Sequence, residues 1–265
     1  MIVLDLDGTL TNAKKVITPR TKQALMAAQE HGVRVVLASG RPTYGITALA
    51  HELQLERFGG YILAFNGGKI TNCETGEVVF EQKLDENLVP DLYHAAMDHG
   101  MHILTYQGEG IAATSKDDEY VQHEAFINKM PVVEYNDFLN QVEYPINKCL
   151  IVGSPAPLHE LELQLAEAMK GKMNIYRSAD FFLECVPLGI DKAESIDRLL
   201  KDIGISPAEI IACGDGYNDA SMIRYAGLGV AMENAAPEVK EMADFVTLSN
   251  EEDGVAHVVE KFMLQ

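Results

Sequence analysis

Apolar residues fall in short unbroken runs separated by stretches of helical period, and these runs mark out the elements. Ile2-Val3-Leu4 contains no polar position and is too short for a helix, so it predicts a strand buried on both faces. Gly8 permits the sharp turn that follows. Thr18-Pro19 reads as an N-cap with proline at the first helical position, and the helix runs to about Glu30, where Gly32 ends it. Residues 33–38 predict a second buried strand, a helix follows Pro42, and residues 61–64 predict a third strand ending at Asn66-Gly67-Gly68. Residues 69–72 and 77–82, joined through Thr75-Gly76, predict a hairpin. Continuous apolar strands alternating with amphipathic helices specify a parallel sheet covered on both faces.

After Lys83 the pattern changes. Residues 85–99 predict a helix, 102–106 and 111–114 two short strands, 117–128 a helix, and 131–134 and 148–152 further strands. A helix over 157–170 precedes a closing hairpin of 174–177 with 181–186. Neighbouring strand pairs between helices predict an α+β module on an antiparallel sheet. From Asp191 the alternation returns, with a helix over 192–203 and strands at 209–213, 228–232 and 245–247. The expected fold is therefore α/β: a Rossmann-like parallel-sheet core, 1–82 with 187–265, carrying an inserted α+β cap domain at 83–186.

Composition narrows the partners. The 265 residues are 47% hydrophobic, ordinary for a globular protein, and suffice for one large domain or two modest ones. Against 40 acidic residues stand 21 basic ones, and the net charge of −19 repels nucleic acid and anionic lipid alike. The same charge repels anionic substrates at long range, so any phosphate site must supply its own positive charge. Cys73, Cys149, Cys185 and Cys213 form no CxxC pair, and buried thiols in a reducing cytosol are a better reading than disulfide or zinc roles. Asp5 and Asp7 interrupt the only early apolar run, so neither a signal peptide nor a spanning helix is expected, and the expected location is the cytoplasm.

Candidate chemistry lies at the ends of the buried runs. Asp5 and Asp7 sit at the carboxyl end of the first strand, where open α/β sheets bind ligands. Asp215 and Asp219 follow a second apolar strand, with glycines on either side of Asp215. Alone, Gly-Asp-Gly is a polar turn, and no spaced carboxylates follow to make a calcium loop. Together the clusters bring four carboxylates to one sheet edge, and such density calls for a bound cation, with Mg²⁺ suited to oxygen ligands. Ser39-Gly40 also follows a buried strand and precedes a helix, so it reads either as a cap and turn or as a phosphate site. Arg41 could pair with phosphate or with a surface acid. Lys192 opposes the macrodipole in a first helical turn, and either extends into solvent or neutralises phosphate charge.

In this order, Asp5-Leu6-Asp7-Gly8-Thr9, Ser39-Gly40-Arg41, Lys192 and Gly214-Asp215-Gly216-Tyr217-Asn218-Asp219 resemble the four motifs of the haloacid dehalogenase (HAD) superfamily. The insert resembles the C2-type cap of its Cof-like phosphatases, and Asn66-Gly67-Gly68 and the tail from Ala243 to Ala256 are similar to that subgroup. The similarity spans essentially the whole chain, with Ala193 a departure where relatives often carry glycine. The resemblance implies a Mg²⁺-dependent phosphatase acting on small phosphate monoesters, such as sugar phosphates or phosphorylated cofactors, through an aspartyl-phosphate. Asp5 would be the nucleophile, and Asp7 the acid and then the base, for which its pKa should be raised. Mg²⁺ would be held by Asp5, the Asp7 backbone carbonyl and Asp215. Ser39, Lys192, Asn218 and the N–H groups of Leu6 and Gly40 would bind phosphoryl oxygens, with Asp219 orienting a metal-bound water or Lys192.

The cap would close over the site on hinges near 82–85 and 187–189 and select the leaving group. Tyr106, Arg177 and Glu184 lie on expected cap strands, where each also reads as an ordinary sheet residue. A phosphomutase is the nearest rival, because the same intermediate can return phosphate to another hydroxyl. A receiver-like signalling module would need no insert, and a non-catalytic phosphosugar-binding protein would not need both Asp5 and Asp7.

Overall fold

The apolar runs pair edge to edge. In the computed structural model, which describes residues 1–264, the chain forms two compact units: Met1–Glu81 with the segment from Asp191 onward, and Gln82–Ile190. The first unit holds an eight-stranded sheet in the order Phe245–Val246, Leu228–Ala231, Ile211–Gly214, Ile2–Leu4, Val35–Ala38, Tyr61–Ala64, Lys69–Asn72, Val78–Glu81. Neighbours are parallel through Tyr61–Ala64, and the last two pairings, on either side of Lys69–Asn72, are antiparallel. Every residue of Ile2–Leu4, Val35–Ala38 and Tyr61–Ala64 is buried, as the absence of polar positions in them requires. On one face Val3, Val36, Leu63 and Ala212 pack with Ile196, Leu199 and Leu200 of helix Lys192–Ile203. Helix Pro19–Glu30 begins as its sequence predicts, with Thr18 accepting the Thr21 N–H and proline in the first turn.

Strand Ile2–Leu4 lies between Ile211–Gly214 and Val35–Ala38, with Leu4 in register with both Cys213 and Leu37. The chain leaves this strand toward one side and returns on the other much later. Strand order therefore reverses here, and ligands of open α/β sheets collect outside the carboxyl ends at such a point. Asp5, Ser39 and Asp215 consequently leave three adjacent strands at one edge.

The second unit holds a six-stranded sheet in the order Met173–Ala179, Phe182–Pro187, Cys149–Val152, His102–Gln107, Gly110–Ala113, Val132–Glu134. Alternate side chains serve different cores, because strand residues point to opposite faces. Ile103, Cys149, Ile151 and Leu183 pack with helices Val89–Asp98 and Pro155–Ala168, whereas Leu104, Leu150 and Val152 pack with Val121 and Ala125 of Glu119–Asn128. The sheet is not wholly antiparallel as expected: Gly110–Ala113 and Val132–Glu134 run parallel. A helix joins those two strands, and a strand–helix–strand crossover returns the chain in its starting direction.

Candidate active site

Backbone pairing carries directly into the acidic cluster. The Asp5 N–H donates to the Cys213 carbonyl at 3.0 Å, so the first residue past one strand is fixed against its neighbour. Gly8 has φ +89°, and a Cβ there would lie 2.2 Å from Asp215 Oδ2, so only glycine lets the loop approach that carboxylate so closely. One oxygen from each of Asp5, Asp215 and Asp219 lies within 4.8 Å of the others. Lys192, 1% exposed, reaches into this group and donates to Asp5 Oδ1 at 2.7 Å and Asp219 Oδ1 at 2.5 Å. Asp219 Oδ2 accepts the N–H groups of Asp215 at 3.0 Å and Gly216 at 2.9 Å, so both its oxygens are committed. Asp215 Oδ1 accepts the Thr9 hydroxyl at 2.9 Å. Among the described residues no protein donor reaches Asp5 Oδ2.

The electrostatics follow from this geometry. Burial raises the Asp5 carboxyl well above the usual carboxylate range, Asp219 and Asp215 add to that shift, and Lys192 opposes it. Burial, then Asp219, pushes Asp215 up to about 6. Burial works against the Lys192 ammonium, but Asp219 and Asp5 together hold its pKa above the usual lysine value. Three carboxylates around one ammonium leave surplus negative charge in a largely dry place. An all-oxygen donor set with Asp5 Oδ2 uncommitted fits a hard divalent cation.

Asp7 has different partners. Arg41 Nε donates to Asp7 Oδ2 at 2.7 Å, and Arg41 Nη2 and Lys15 Nζ both donate to Oδ1 at 2.6 Å. Burial acts to raise the Asp7 pKa, but Arg41 and then Lys15 outweigh it and hold the carboxyl below the usual range. The expected raised pKa is thus corrected, since cations and not carboxylates surround the group. Arg41, expected to pair with phosphate or with a surface acid, is itself buried and pairs with the partly exposed acid Asp7.

The serine turn is braced from behind. Ser39 Oγ accepts the Arg41 N–H at 3.2 Å, which leaves its own hydrogen for another acceptor. Asn66 N–H donates to the Ser39 carbonyl and Phe65 N–H to the Arg41 carbonyl, at 2.9 and 3.0 Å. Phe65 and Asn66 sit at φ +55° and +56°, a costly conformation for side-chain-bearing residues that clusters at functional sites. Asn66 Oδ1 accepts the Asn218 amide at 3.2 Å, and a Cβ on Gly40 would lie 3.3 Å from Asn66 Nδ2. Sequence reasoning gave Asn66 no role, although Asn-Gly is a signal for left-handed backbone. Leu6 is fully buried, and its carbonyl accepts both the N–H and the hydroxyl of Thr11 at 2.9 Å. Asp5, Leu6, Ser39, Gly40, Lys192, Asp215, Asn218 and Asp219 are thereby gathered at one sheet edge, with Asp7 held beside them.

In the second unit, Arg177 is tied to Glu162 of helix Pro155–Ala168 at 2.8 Å. Tyr106 and Glu184 join a buried polar network instead. The Tyr106 hydroxyl donates to Glu124 at 2.5 Å, and Lys148 Nζ and Ser178 Oγ donate to Glu184 at 2.7 and 2.9 Å.

Residues 2–259 match the haloacid dehalogenase-like hydrolase family. The Bacillus subtilis (strain 168) protein YxeH is 34% identical, over all of this chain and 98% of its own length. A crystal structure of a haloacid dehalogenase-like hydrolase from Bacteroides thetaiotaomicron is 53% identical, covers 98% of either chain and superposes with a TM-score of 0.94. The HAD subclass IIB sugar phosphatase BT4131 is 26% identical over 98% of either chain, with a TM-score of 0.83.

Proposed function

Because the chain belongs to the haloacid dehalogenase-like hydrolases and is a phosphatase of that type, we propose that it hydrolyses small phosphate monoesters through an aspartyl-phosphate on Asp5. Sugar phosphates and phosphorylated cofactors are the substrate class. Asp5 forms a bond to phosphorus while the ester P–O bond breaks, and Asp7 gives a proton to the departing alkoxide. Water then attacks the same phosphorus, Asp7 takes its proton, and phosphate leaves with Asp5 restored. Asp7, ionised between Arg41 and Lys15, suits the second step. For the first, an arriving phosphate dianion is a like charge that moves Asp7 toward its acid form. Lys192, the Ser39 hydroxyl, the Leu6 and Gly40 N–H groups and the Asn218 amide hold the phosphoryl oxygens, and Asp219 keeps Lys192 in place. Mg²⁺ bound by Asp5, Asp215 and the Asp7 backbone carbonyl would neutralise charge building on those oxygens.

The insert at 83–186 is assigned the choice of leaving group. No described helix is long and apolar enough to cross a membrane. The reading places the enzyme in the cytoplasm, in keeping with the buried free thiols of Cys149, Cys185 and Cys213.

One observation carries the proposal: Asp5 offers an oxygen that meets no donor among the described residues, while Lys192 grips the other. The test is phosphate release across a panel of phosphorylated metabolites, with and without Mg²⁺, for the wild type and Asp5→Asn. Turnover should need the metal and vanish in the folded variant. Hydrolysis by Asp5→Asn, once deamidation is excluded, would remove the nucleophile.

A further inference from the structure

We propose that Arg41 is a positioning residue, which fixes the plane of the Asp7 carboxylate for proton transfer to the leaving group. This role rests on the function proposed above for Asp7. Arg41 is 6% exposed and anchored along its whole length. Its N–H donates to Ser39 Oγ, its carbonyl accepts the Phe65 N–H, and Nη1 donates to the Gly45 carbonyl at 3.2 Å. From that base Nε and Nη2 meet the two Asp7 oxygens separately. A planar fork matched to a carboxylate sets orientation as well as distance, which a point charge does not.

The other cation cannot substitute. Lys15 touches only Oδ1, on a flexible stem, from a turn residue at φ +58°. Without Arg41, Asp7 keeps one carboxylate contact among the described residues, that to Lys15, about which the carboxyl plane can turn. Three of the five guanidinium donors already go to Asp7 and Gly45, which argues against Arg41 as the main phosphate ligand. Misplacement of a reacting group by about 1 Å costs on the order of 10²-fold.

The experiment compares kcat/KM for two leaving groups, because that quantity reports steps through leaving-group departure. One substrate is the best alkyl phosphate of the panel, whose alkoxide needs a proton. The other is p-nitrophenyl phosphate, whose phenolate leaves without one. Arg41→Ala should lose roughly 10²-fold on the alkyl ester and only about 3-fold on the aryl ester. Arg41→Lys should show the same split at roughly 10-fold, and it decides the matter if the alanine variant does not fold. Inhibition by inorganic phosphate should be unchanged in both. Equal losses on the two esters, or none, overturn the proposal, as does weakened phosphate inhibition. Asp7→Asn run alongside separates the causes. If it shows the split and the Arg41 variants do not, only the positioning role falls. If it shows no split, the proton-transfer reading of Asp7 falls and takes this inference with it.

Discussion

Replacing Lys192 by Met removes the one ammonium held between Asp5 and Asp219, whose side chains are 8% and 1% exposed. Deleting one partner of a buried pair costs about 3–5 kcal/mol, because the remaining charge stays desolvated. Asp5, whose pKa is already raised, can take up a proton and relieve part of this, so the lower end, about 3 kcal/mol, is expected. At about 2–4 °C per kcal/mol for a protein of this size, the melting temperature should fall by roughly 6–12 °C. The folded pKa of Lys192 lies above its unfolded value, so the contribution is complete below about pH 10 and is lost only as the pH rises through the folded value. The assay is thermal unfolding in chelator at neutral pH, reading the transition that shifts, since two compact units can melt separately. The electrostatic cause is isolated by adding Asp219→Asn. In the Met background this second change should cost less than in the wild type, because it removes a charge that has lost its partner. An unshifted transition, or simple additivity in the double variant, would refute the account of Lys192 as the pin of the cluster.

Two further outcomes follow from the same cluster. The Asp215 pKa, about 6 when folded, lies above its unfolded value of about 3.9, so the apoprotein should lose stability as the pH rises through that window. Mg²⁺ should then raise the melting temperature at about pH 7.5 and have little effect near pH 5, and an equal effect at both would count against these carboxylates as the metal site. Gly8→Ala forces a Cβ into Asp215 and strains a left-handed turn, so it should cost about 1–3 kcal/mol and abolish both turnover and the Mg²⁺ response. A normal Mg²⁺ response in that variant would show that the Asp215 carboxyl had not needed the space.

The sequence disclosed most where chemistry abutted a run of apolar residues. Asp5 and Asp215 each follow such a run, so burial and strand end are both written locally, and the parallel core follows from the same runs. What depended on partners across the fold was hidden. Arg41 lies 34 residues from Asp7, and nothing local to either says that a braced serine turn aims one at the other. Lys15 arrives through a turn whose left-handed residue is itself a lysine. The parallel pair in the second unit was missed for a related reason: short strands show their alternation but not which way the connecting helix returns them.

Two aspartates separated by the single residue Leu6 have surroundings that push them in opposite directions. Asp5 is raised by burial and by other carboxylates, whereas Asp7 is lowered by two cations. Divergent environments for neighbouring carboxyls are how one site divides its roles, yet here the ligand-free directions are the reverse of those the proposed reaction requires. A nucleophile must be ionised, and the group that first protonates an alkoxide must carry a proton. Both reversals are what the proposed ligands would bring. A divalent cation beside Asp5 favours its charged form, and a phosphate dianion near Asp7 favours its neutral one. On this reading the pocket is complementary to bound metal and phosphate together, so neither ligand alone should set both carboxyls. Substrate and metal should therefore bind with positive coupling, each tightening the other's apparent affinity by the same factor.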